Sequence, residues 1–135
     1  MGLILKRPVV VKHIVTEAFK DRTLREIDAT LEQVEQNLGQ LEFQGRRLIA
    51  EVEREHAARA AHMREELQRE RQRQEAIRDE LIAKRAQIEA LELETVFTAG
   101  TYDAPVKLEI GDRFSEKMRQ AEILIKDDVV IAIRE

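Results

Sequence analysis

Residues 16–93 contain no proline, and Glu, Gln, Arg, Ala and Leu dominate them. These are strong helix formers, so more than half of a 135-residue chain is committed to helix before anything else is read. Apolar positions in the first half step by three and four: Leu24, Ile27, Leu31, Val34, Leu38, Leu41, Leu48 and Val52, with Gly45 on the missing beat. That spacing is a heptad seam. The second half reads Met63, Leu67, Ile77, Leu81, Ile88 and Leu91, interrupted by Glu70, Gln74 and Lys84. The two series are mirror images about a point between Ala57 and Ala58. Leu24 reflects onto Leu91, Ile27 onto Ile88, Leu38 onto Ile77, and Leu48 onto Leu67. An antiparallel helical pair produces this pattern. The phase also slips between Val52 and Ala60, so the expected tip lies near Glu55–Ala61. A continuous helix paired antiparallel with a second copy would give the same reflection, and the tip lacks Gly, Pro, Asn and Asp. The slip favours the intrachain hairpin.

The flanks differ in kind. Val9, Val10, Val11, Ile14 and Val15 follow Pro8, a β-branched density that predicts a strand with proline at its start or edge. Thr16, with Glu17 behind it, predicts a helix N-cap. After residue 93, Thr95–Thr98 and the alternating Ala104–Ile110 read as two strands. Gly111-Asp112 reads as a turn, and Phe114–Gln120 as one or two helical turns. Ala121–Lys126 and Val129–Arg134, joined by Asp127-Asp128, read as a hairpin with a two-residue loop. The expected fold is α+β. A long antiparallel coiled-coil helical hairpin (16–93) is inserted between an N-terminal strand and a C-terminal small β-sheet or barrel. Residues 1–15 and 94–135 together form the small β domain.

Three stretches resemble the YlqD family of uncharacterised bacterial proteins: Val9–Glu17, Leu41-Glu42-Phe43-Gln44, and Gly111-Asp112 through Ile133-Arg134. The family often has a tryptophan where this chain has Phe114, and Lys-Asp-Gly where it has Lys126-Asp127-Asp128. The resemblance implies no activity and no catalytic residue. It does carry an association with neighbouring genes for ribosome maturation.

Charge and composition narrow the function. There are no cysteines, which excludes disulfides, thiol catalysis and thiolate zinc sites. No apolar run reaches the ~18 residues of a membrane span. The start is too short in apolar residues for a signal peptide, and a cytoplasmic protein is expected. His56 and His62 fall on different helical faces; Glu51/Glu55 and Glu66/Glu70 read as solvated charge. No phosphate loop or acid–base constellation stands out. No catalytic, cofactor or metal site is therefore expected.

Two surfaces remain. Phe43, on the outer face beside Arg46 and Arg47 and flanked by Gly39 and Gly45, is the candidate partner contact. The leading expectation is a non-enzymatic interaction or scaffold protein that forms homo-oligomers and meets an unidentified protein partner. The rival is an RNA- or ribosome-associated factor using Arg64, Arg69, Arg71 and Arg73. Interleaved glutamates and a net charge of −4 weigh against that rival. A polymerase-channel factor is a third reading, poorly matched because Glu55 is the lone acidic residue at the tip.

Overall fold

The computed structural model describes residues 1–135. The order is β1 (Gly2–Ile14), α1 (Glu17–Glu53), α2 (Ala57–Ala90), β2 (Val96–Glu109), α3 (Phe114–Lys117), β3 (Ala121–Lys126) and β4 (Val129–Arg134). The chain divides into two compact units, Met1–Asp21 with Leu91–Glu135, and Arg22–Ala90.

The first unit is built on a four-stranded sheet in the order β2-β1-β3-β4. β1 pairs antiparallel with β2 along its whole length and parallel with β3 over Val9–His13. β3 and β4 form an antiparallel hairpin. Its two loop residues, Asp127 (φ 47°) and Asp128 (φ 69°), both take the left-handed conformation that a type I′ turn requires. The sheet is open, with β2 and β4 as its edges, so the barrel is not formed. Four strands, two of them only six residues long, cannot supply the tilt and stagger that closure needs.

Two further expectations are corrected. Thr95–Thr98 and Ala104–Ile110 do not make separate strands. β2 runs through both, because β1 offers thirteen residues of continuous template and Ala99 is absorbed as a bulge opposite Val11/Lys12. The strand expected after Pro8 reaches back to Gly2, so Pro8 lies inside β1 and, of start or edge, takes the edge. It sits just before the stretch that pairs with β3, where one side of β1 is still free and a missing N–H is tolerated.

The start of α1 is fixed by one side chain. The Phe19 N–H donates to Thr16 Oγ at 3.0 Å, and the Thr16 hydroxyl donates to Asp127 Oδ1 at 2.6 Å. The helix cap and the hairpin turn thus share a residue. Phe19 stacks on His13 (centroids 5.0 Å apart) and tilts against Phe97 at 5.9 Å. Val15, fully buried, exchanges backbone hydrogen bonds of 2.8 Å with Thr95 and Glu94.

The second unit is a helical hairpin. The chain leaves helix only at Arg54–His56, where the Glu55 and His56 N–H groups both donate to the Val52 carbonyl. The tip is thus shorter than expected, since Ala57–Ala61 already belong to α2. Cross-helix ion pairs within one chain settle the choice between hairpin and continuous helix. Asp28 meets Arg85 at 2.7 Å, Glu35 meets Arg78 at 3.9 Å, and Glu42 meets Arg71 at 2.7 Å. Each partner series is spaced by seven residues, in mirror order.

The seam differs from the strict heptad. Leu48 is 52% exposed and Ile49 is 6% exposed, so Ile49 is the inward residue. Counted at 100° per residue from Ile27, Ile49 lies about 40° off and Leu48 about 60° off on the other side. On α2, Ile77 and Lys84 are exposed while Arg78 and Arg85 are half-buried. A seven-residue repeat falls ~20° short of two turns, so burial drifts onto the next residue over several heptads.

Candidate functional site

Two surfaces face outward with unmet packing: the outer face of α1 around Phe43, and one face of the sheet. Phe43 is 70% exposed. Arg46 pairs with Glu42 at 3.0 Å and Arg47 lies 3.9 Å from Glu51, so each guanidinium has a carboxylate partner one turn away. The two glycines do not play the same part. A Cβ on Gly45 would lie 2.7 Å from Leu67 Cδ1, so Gly45 lets α2 approach α1. A Cβ on Gly39 would meet nothing within 4 Å. Only Gly39 belongs to the outer face with Phe43, one turn away.

The arginines of the rival reading are all engaged. Arg64 meets Glu53 at 2.8 Å and Arg73 meets Glu70 at 2.9 Å. Arg69 lies 3.9 Å from Glu65, and Arg71 bridges to Glu42 with Gln68 and Glu75 beside it. The hydrogen bond from Arg71 holds the Glu42 carboxyl below the usual carboxylate range. The hydrogen bond from Arg85 does the same for Asp28. Both guanidiniums are correspondingly harder to deprotonate. This stretch is a neutralised ladder more than a phosphate track.

His62 pairs with Glu66 at 3.0 Å. No group of three or more His, Cys, Asp or Glu side chains comes together. A hollow of about 200 Å³ on the sheet is lined by Lys12, Glu122, Leu124, Ala132 and Arg134, with Lys12 and Glu122 paired at 3.0 Å.

The sheet face was not legible as a site. Residues directly opposite in the ladder share a face, so the register sorts them. One face carries Leu3, Leu5, Val9 and Val11 from β1, and Leu108, Val106 and Tyr102 from β2. Ile123 and Ile125 from β3 and Ile133 from β4 complete it. The other mixes Ile4, Val10, Val96, Leu124 and Ala132 with Lys6, Lys12, Lys107, Glu122 and Arg134. Leu3 is 69% exposed, Tyr102 65% and Ile133 66%. Leu3 and Leu5 supplied a period-two signal. Its meaning depended on knowing that β2 lies opposite them and that β3 continues the same face.

A model of the YlqD protein family matches residues 3–134, essentially the whole chain. The chain belongs to the YlqD family. It is also similar, at 28% identity and a TM-score of 0.86, to a crystal structure of a protein of unknown function from Synechococcus sp. WH 8102; the match covers 100% of this chain and 96% of that one. No curated protein matches the chain. Within the family pattern, the departures at Phe114 and Asp128 fall on exposed positions.

Proposed function

We propose that this member of the YlqD family is a non-enzymatic interaction module of the cytoplasm. In this reading it self-associates and presents a coiled-coil hairpin to a protein partner. The observation that carries the reading is Phe43. A ring left 70% exposed on a helix, beside a glycine with open space around it, offers apolar surface for another chain to cover. Gly39 costs about 1 kcal/mol against alanine in a helix interior, and it leaves room for a close approach next to the ring. Arg46 and Arg47 supply the polar rim that such a contact uses. No helix of the protein is long and apolar enough to cross a membrane.

The test is affinity capture from native cells, read by mass spectrometry, with the wild-type chain and Phe43→Ala side by side. A partner held by the wild-type chain and lost with Phe43→Ala supports the reading. An identical capture profile for both, or recovery of RNA that survives physiological salt, overturns it.

A further inference from the structure

We propose that two copies of the chain pair antiparallel through α2, on a two-fold axis that passes beside Ile77. This rests on the reading of the protein as a self-associating module, and it names the surface.

Three residues of α2 stand immediately before arginines of the ladder: Glu70 before Arg71, Ile77 before Arg78 and Lys84 before Arg85. One residue turns the helix by about 100°. The arginines reach the carboxylates of α1 on one flank of the hairpin. Glu70, Ile77 and Lys84 therefore turn toward the other flank. They move outward along the helix, as a seven-residue repeat does on a straight helix. Glu70 is half-buried, Ile77 is 43% exposed and Lys84 is exposed. On α1, Asp28, Glu35, Glu42 and Ile49 also step by seven, and Leu48 stands one residue before the last. Leu48, 52% exposed, thus adds apolar surface to the flank of Ile77.

The charges select the occupant. Counted from Ile77, Glu70 lies seven residues back and Lys84 seven residues on. Arg73 lies four back and Glu80 three on. Reflection through Ile77 therefore exchanges opposite signs. An antiparallel second copy sets Ile77 against Ile77, Glu70 beside the partner's Lys84, and Arg73 beside the partner's Glu80. A parallel copy in the same register would set like charges together. Lys84 and Glu80 have no ion pair and no side-chain hydrogen bond within the chain. Glu70 is held by the exposed Arg73 at 2.9 Å and by Gln74 at 3.2 Å. The two charges left free in the single chain thus gain partners in the pair. Opposite charges flanking an apolar contact set register and orientation when helices pair, and a two-fold axis makes each contact twice. Glu70 and Lys84, which interrupt the apolar series of the hairpin, are the residues that specify this contact.

Charge reversal tests the assignment, with mass from sedimentation equilibrium as the readout. The wild-type chain at about 100 μM is expected to give twice 15.7 kDa. Lys84→Glu sets acid against acid at both symmetry-related contacts and should raise the dissociation constant about tenfold or more. Glu70→Lys should do the same with base against base. The two reversals combined restore opposite signs and should return the dissociation constant to within about threefold of wild type. Far-UV circular dichroism checks that each variant keeps its helix. Rescue by the double reversal is a result that a general loss of helix stability does not produce. A wild-type chain that is monomeric at that concentration overturns both the proposal and the self-association it rests on. A wild-type dimer indifferent to Lys84→Glu, or one that the double reversal fails to restore, overturns the α2 contact alone. Capture through Phe43 is read separately.

Discussion

Val15 in the β unit and Ile88 in the helical unit are both fully buried, yet their surroundings differ. Val15 sits between backbone hydrogen bonds, in a unit whose strands carry more apolar residues than their own packing covers. Ile88 belongs to a helix whose inward face mixes apolar residues (Ala60, Met63, Leu67, Leu81) with the half-buried Arg71, Gln74, Arg78 and Arg85. The helical unit pairs its charges internally, carboxylate against guanidinium; the β unit leaves Leu3, Tyr102 and Ile133 largely in water. In the first, charge order adds specificity: mirror-spaced pairs support the register of the two helices. In the second, burial is unfinished within one chain.

The largest expected effect comes from emptying the thin apolar seam. Ile88→Ala should cost about 2–5 kcal/mol, since a fully buried isoleucine leaves both a lost transfer term and a cavity. Urea unfolding followed at 222 nm measures it. A loss under about 1 kcal/mol would mean that the charge ladder, not the seam, holds the hairpin.

The connection into the β unit is next. Thr16→Ala removes the cap on Phe19 and the bond to Asp127 together. A loss of about 1–2 kcal/mol is expected. Amide exchange should speed up both at Phe19 and around the Asp127 turn; acceleration at the helix start alone would show that the shared hydroxyl does not couple the two.

The glycine pair separates the two helix faces. Gly39→Ala has open space and should stabilise by up to about 1 kcal/mol. Gly45→Ala drives a Cβ into Leu67 and should forfeit that gain. Equal melting temperatures for the two variants would contradict the closeness of α1 and α2 at Leu67.

The smallest effect is electrostatic. Asp28 and Glu42 have carboxyl pKa values lowered by hydrogen bonds from Arg85 and Arg71. The unfolded chain therefore takes up protons first as pH falls. The stabilisation is complete above the ordinary carboxylate range of about 4 and is lost as pH drops through the lower folded values. Melting temperature should hold from neutrality to about pH 5 and decline below about pH 4. Asp28→Asn with Glu42→Gln should flatten that decline. These pairs are partly exposed, so salt should weaken them too.

Much of this was written in the order of the residues. Local chemistry declared itself: the proline-free run became helix, Thr16 became a cap, Gly111-Asp112 and Asp127-Asp128 became turns, and mirrored apolar spacing became a hairpin. Those features depend on neighbours within a few residues, or on a period that one strand of text can show. Which residue at each turn faces inward was decided by packing, because a helix of 3.6 residues per turn moves Ile49 into the place a heptad gives Leu48. The continuity of β2, the open sheet and the gathering of Leu3, Tyr102 and Ile133 on one face were likewise set by tertiary pairing. A strand's sequence says only that it has two faces. Which face joins its neighbours' apolar residues depends on register between segments some hundred positions apart, and a single residue of slip reverses it.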